Sequence, residues 1–106
     1  MKALITKSAL DALAKSGVAK KRIILWDKKI PMFGVYVTRA GYCSFIYQYR
    51  LPGTPTTRRI KLGTFPAIMI DQARHLAQQA AWKVTNGIDP LEERRARVRK
   101  EEQDAN

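Results

Sequence analysis

From Lys28 to Ile70 the sequence has no Asp and no Glu, and the same 43 residues hold seven Lys or Arg. Solvated surfaces normally mix both signs, so a one-signed stretch of this length sets up a positive field suited to a polyanion. Cysteine is nearly absent too. Cys43 stands alone among 106 residues, which excludes an intramolecular disulfide or a cysteine metal cluster and fits a reducing compartment. No apolar run approaches the ~20 residues of a membrane span. The N-terminus lacks the apolar core and small-residue cleavage site of a signal peptide. A soluble cytoplasmic protein with no membrane partner is expected.

Catalytic constellations are missing as well. No carboxylate pair, Cys/His cluster or Gly-rich phosphate loop occurs. His75, the single histidine, falls one step off an apolar helical stripe and reads as helix surface. Asp11, Asp27, Asp71 and Asp89 are scattered singly, three of them at cap or first-turn positions. Cys43 reads as a small packing residue, and Trp26 and Trp82 as core or edge aromatics. No active site, metal or cofactor is expected.

The net charge of +11 is unevenly spread. Residues 1–27 carry six basic and two acidic groups, 28–62 seven and none, 63–87 two and one, and 88–106 five and six. The positive stretch is not a floppy tail, because Phe33, Val35, Val37, Phe45, Ile46, Tyr47, Tyr49, Ile60 and Leu62 run through it. An ordered, one-signed surface points to nucleic acid.

Periodicity supplies the elements. Residues 6–17 read as a short helix with Thr6 or Ser8 as N-cap, an Ala9/Leu10/Leu13 stripe and Gly17 as stop. Residues 22–27 are a brief β-prone run that Ile30-Pro-Met32 breaks. Three hairpin-ordered strands follow: 33–39, 42–50 and 57–62. A tight turn at Ala40-Gly41 and a Pro/Gly/Thr loop at 51–56 join them. Gly63-Thr-Phe-Pro66 ends the sheet. A helix from about Ile70 to Asn86 bears Ile70, Ala73, Ala77, Ala80 and Val84 at 3–4 spacing, a mostly Ala stripe that can lie close to a sheet. Gly87 fits the helix stop, and Asp89-Pro90 fits N-cap and first turn of a last, charged helix. That helix has no face of its own to bury and is expected to fray as a connector.

The fold expected is α+β: a small three- to four-stranded antiparallel meander with one helix on one face, a short N-terminal helix and a C-terminal connector helix. Residues 1–89 form the domain and 90–106 the connector.

If the helix covers the Val35/Val37/Phe45/Tyr47/Tyr49/Ile60/Leu62 face, alternation leaves Tyr36, Thr38, Ser44, Ile46, Gln48, Arg50, Thr57, Arg59 and Lys61 on the other. A twisted sheet can lie in the major groove, where strand side chains reach base edges. Gln48 then suits adenine, Arg50 and Arg59 suit guanine, and Thr38 and Thr57 suit phosphate or thymine methyl. Arg58, Lys28, Lys29 and Lys61 would contact the backbone. A merely solvated antiparallel face also alternates, but would be expected to include some Asp or Glu. Tyr47 and Tyr49 fall on the core side, against a nucleophilic role.

A resemblance is carried by six segments in order: Leu25-Trp-Asp, Ile30-Pro-Met-Phe-Gly-Val-Tyr-Val-Thr-Arg-Ala-Gly41, Phe45-Ile-Tyr-Gln-Tyr-Arg50, Arg59-Ile-Lys-Leu-Gly-Thr-Phe-Pro66, Asp71-Gln-Ala-Arg74 and Gly87-Ile-Asp-Pro90. Over about residues 1–95 the chain resembles the N-terminal arm-type DNA-binding domain of phage and genomic-island tyrosine recombinases, the P4-like integrase group. The resemblance implies a small helix-backed sheet that binds arm-type repeats in attachment-site DNA. Ser44, Ile46, Gln48 and Arg50 on one strand, with Arg59 and Lys61 on the next, would face the groove. Many relatives have Arg or Lys where this chain has Tyr36, Ile46 and Gln48, which implies fewer ionic contacts. The family's strand-cleaving tyrosine belongs to a C-terminal domain, so this chain alone is expected not to cut DNA. Implied partners are double-stranded DNA, full-length recombinase protomers and accessory DNA-bending proteins. Two other readings remain open on the residues: an RNA-binding protein, or a protein-interaction module that docks a recombinase.

Overall fold

A computed structural model describes residues 2–15, 23–38 and 42–104. Strand β1 (Lys2–Ala3) leads into helix α1 (Lys7–Lys15), then β2 (Ile23–Asp27), β3 (Phe33–Val37), β4 (Cys43–Arg50) and β5 (Thr57–Phe65). Helices α2 (Ile70–Thr85) and α3 (Pro90–Asp104) complete it. Thr6, not Ser8, caps α1, its Oγ1 accepting the Ala9 N–H at 3.1 Å. Gly17 and the Ala40-Gly41 turn lie outside the described residues.

The sheet has five strands in the order β1-β2-β3-β4-β5. β1 runs parallel to β2 and the other pairings are antiparallel. The sheet is therefore mixed and larger than the three or four antiparallel strands expected. A two-residue strand carries no alternation, so β1 left no periodic trace in the sequence. β5 also runs on to Phe65 instead of stopping at Leu62. A bulge makes this possible: Phe45 pairs with Gly63 but Ile46 with Lys61, leaving Leu62 as the extra residue. At Gly63 the Ile68 side chain packs directly over the backbone, where a Cβ would sit 2.4 Å from Ile68 Cδ1.

Both helices cover one face. Ala73, Ala77 and Ala80 of α2 and Leu10 of α1 are buried in one core with Leu25, Phe33, Val35, Val37, Phe45, Tyr47, Tyr49 and Ile60. Small Ala side chains let α2 approach closely enough for stacked pairs to fill the space beneath. Phe33 and Phe45 have ring centroids 5.9 Å apart, and Tyr47 and Tyr49 6.0 Å. Tyr47 and Tyr49 are thus core residues, as their alternation required. Cys43 is buried as well, and burial pushes its thiol pKa up.

Two polar nodes tie the layers. Asp27 is fully buried and accepts the Ile5 and Ile30 N–H groups, each at 3.1 Å. Arg74 of α2 donates to the same carboxylate at 3.3 Å and to the Ile5 carbonyl at 2.7 Å. The second node holds α3. Asp89 accepts the Leu91 N–H at 2.9 Å as N-cap, accepts a hydrogen bond from the Tyr49 hydroxyl, and pairs with Arg58 at 3.0 Å. Arg94 donates to the Lys61 carbonyl at 2.8 Å. The base of α3 is therefore bound to the sheet, whereas free fraying was expected along its whole length.

Gly87 ends α2 as anticipated, with φ 77°. Ile88 N–H reaches the Lys83 carbonyl at 2.8 Å and Gly87 N–H the Val84 carbonyl at 3.0 Å, the paired bonds of a Schellman motif.

Candidate nucleic-acid interface

Strand pairing sorts the uncovered face into rows. One runs Ile24, Tyr36, Ser44, Thr64, and the next Trp26, Gly34, Ile46, Lys61. Gln48 lies opposite Arg59, and Arg50 opposite Thr57. The face has two halves. Ile24, Trp26, Tyr36 and Ile46 make an apolar side on β2–β4. Gln48, Arg50, Thr57, Arg59 and Lys61 make a cationic side on β4–β5.

The apolar side is partly sealed. A Cβ at Gly34 would lie 2.9 Å from Trp26 Cε3, so the indole ring covers that glycine. Ile46, across from Gly34, is only 5% exposed. Ile46 therefore has the predicted direction but is no projecting contact. Tyr36 and Ser44 are half-buried on the same side. Trp26 belongs to this face and was not among the expected site residues. The inward Leu25 beside it was the available signal, since alternation then turns Trp26 outward.

The cationic side is open. Arg50, Thr57, Arg59 and Lys61 are exposed, and Arg59 Nη2 donates to Gln48 Oε1 at 3.0 Å. Lys28 and Lys29 are exposed in the bend after β2. Thr38 lies just past β3, where its N–H and Oγ1 bond the Tyr42 carbonyl and N–H at 3.0 and 3.2 Å. That places Thr38 in a turn closure, away from the cationic side.

Arg58 parts from its predicted neighbours. It pairs across the strands with Tyr49, on the helix side of the sheet. There its guanidinium bonds Asp89 at 3.0 Å and Glu92 at 3.1 Å. Glu92 and Asp89 raise its pKa further, so it stays a fixed cation holding α3.

Acidic groups keep to the helix layer. Among the described residues, Asp11 is on α1, Asp71 on α2, Asp27 faces the core, Asp89, Glu92 and Glu93 gather at the base of α3, and Glu101, Glu102 and Asp104 lie at its far end. Among the described residues no carboxylate bonds Arg50, Arg59 or Lys61 on their own face. Such a surface can neutralise phosphates and donate to base acceptors. Among the described residues no group of His, Cys, Asp or Glu could hold a metal ion, and no helix is long and apolar enough to cross a membrane. Trp82 is 64% exposed on α2 rather than core, and His75 is exposed beside Gln79.

Comparison with known proteins adds one positive result. A family model described as an arm DNA-binding domain matches residues 5–97. No curated protein matches the chain.

Proposed function

We propose a function from the premise that this chain belongs to the arm DNA-binding domain family, arm-type DNA-binding modules found in phage integrases. The proposed role is sequence-preferring binding of duplex DNA at arm-type repeats of an attachment site, with the open sheet face in the major groove. The parent would be a tyrosine recombinase of the P4-like group. Strand cleavage is assigned to other parts of that parent, and its protomers and accessory DNA-bending proteins are the expected company.

The observation that carries this reading is the cationic half of the open face. Arg50, Arg59 and Lys61 project there with no carboxylate among them, while the acids gather behind the sheet. Two adjacent strands of that width match the β-ribbon geometry that the major groove admits.

Binding to attachment-site duplex, measured against salt, tests it. Neutralising about four to six phosphates gives a slope of log K against log salt near about −4 to −5. Arg59→Ala is expected to cost ~1–3 kcal/mol on the preferred duplex and to relax preference at one base pair. Equal losses on preferred and random duplex would rule out base reading by Arg59. Easy displacement by structured RNA would favour the RNA reading instead, which needs exposed rings for stacking.

A further inference from the structure

We infer that Gln48 and Arg59 act as one mainly donating reading unit that selects guanine, which makes Gln48 a specificity residue for guanine and not for adenine. This rests on the proposed major-groove docking of the open face.

Three observations carry it. The two residues are directly opposed across β4 and β5. Gln48 N–H donates away from β5, to the Met32 carbonyl at 2.9 Å. Against Arg59 it therefore forms a non-hydrogen-bonded pair, the type that brings opposed side chains closest. The contact is thus set by strand register as well as by rotamer.

The second observation is the bond itself, Arg59 Nη2 to Gln48 Oε1 at 3.0 Å. A guanidinium only donates, so the amide must turn its oxygen to Arg59 and its NH2 away. Reading adenine would need the opposite balance: an oxygen free to accept from N6–H2 beside an NH2 donating to N7. With one of that oxygen's two lone pairs taken and the oxygen aimed at Arg59, the pair presents mainly the Gln48 NH2 and the remaining Arg59 N–H groups. Guanine answers with two acceptors, O6 and N7.

The third is the neighbourhood. Arg50 and Lys61 on the same half also only donate, and no Asp or Glu lies between Lys28 and Ile70. Besides the Gln48 oxygen already turned to Arg59, Thr57 is the side chain on this half able to accept as well. A cytosine N4–H2 or adenine N6–H2 brought to this half would meet mostly other donors. The rejection of those bases is as much a part of the selectivity as the attraction of guanine.

The experiment selects duplexes from a random-core library with the 106-residue chain, then repeats the selection with Gln48→Met and Arg59→Met. Both side chains lie on the open face outside the core, and circular dichroism melts serve to check that the variants fold. The expected result is a single base pair whose guanine preference weakens in both variants. Replacing that guanine by 7-deazaguanine, which lacks the N7 acceptor, is expected to weaken wild-type binding by roughly 5- to 100-fold. It should have much less effect on either variant. An adenine at the shared position overturns the inference, as do separate positions for the two variants. Either outcome leaves DNA binding itself intact. A wild-type chain that enriches no duplex at any salt instead overturns the docking reading beneath it.

Discussion

Asp27 has a carboxylate wholly out of solvent, with two backbone N–H groups and the Arg74 guanidinium bonded to it. Burial alone would raise its pKa, but the Arg74 and backbone hydrogen bonds outweigh that and hold it below 3.8. Removing the acceptor strands a buried cation and two donors, so Asp27→Ala is expected to lose about 3–5 kcal/mol in urea unfolding. Because the folded carboxyl titrates below the unfolded one, its stabilisation is complete above about pH 4 and fades as pH falls through the folded value. The acid limb of a stability–pH curve should therefore be shallower in Asp27→Asn. Sequence position gave no hint of this pairing, since Asp27 and Arg74 are far apart in the chain and each looks like an isolated charge. Both belong to segments that carried the family resemblance, which here mark a structural joint. Ile46 shows the converse limit: alternation gave its direction, but not its burial opposite Gly34, where the Trp26 ring lies.

α3 is an element with two regimes. Its first turn is fixed by Asp89, Glu92 and Arg94, whereas residues 95–103 are exposed. Amide hydrogen exchange should be slow through Leu91–Arg95 and much faster beyond. Tyr49 offers a second readout. Burial, and then the bond to Asp89, push its pKa from 10.0 to about 12. A tyrosine harder to ionise when folded stabilises fully below the unfolded pKa near 10, and that contribution is lost as pH rises through about 12. Ultraviolet titration of wild type against Tyr49→Phe should place the missing phenol near pH 12, and a value near 10 would mean that the α3 joint is open. The helix was legible from Asp89-Pro90 and its charge pattern. Its docking was not, because the partners Arg58, Tyr49 and Lys61 come from strands more than two dozen residues earlier. β1 stayed invisible for a different reason: its pairing is made to Trp26 and Asp27 and depends on the β-α-β path.

Across the whole molecule the described carboxylates stay in the helix layer, whereas cations lie on both sides: Arg50, Arg59 and Lys61 on the open face, Arg74, Lys83 and Arg94 among the helices. This partition was readable from the acid-free stretch, since a covered face must be apolar and the charges had only one other side to occupy. Within that stretch Arg58 departs from the partition, and the bulge past Ile46 does not account for it. It simply falls on the covered side by alternation, where acids from α3 meet it. The two kinds of cation should separate in a salt titration on attachment-site duplex. Lys61→Ala is expected to make the slope shallower by about 1, the signature of one lost phosphate contact. Arg58→Ala should leave the slope alone while loosening α3 in hydrogen exchange. Equal slope changes would mean that Arg58 reaches the nucleic acid.

The indole beside Gly34 gives this domain an optical reporter already installed on its open side. The other tryptophan, Trp82, sits on α2 behind the sheet, so a Trp82→Phe chain emits from Trp26 alone. Its fluorescence would register an oligonucleotide arriving at the strands, with no dye attached and no titratable side chain disturbed.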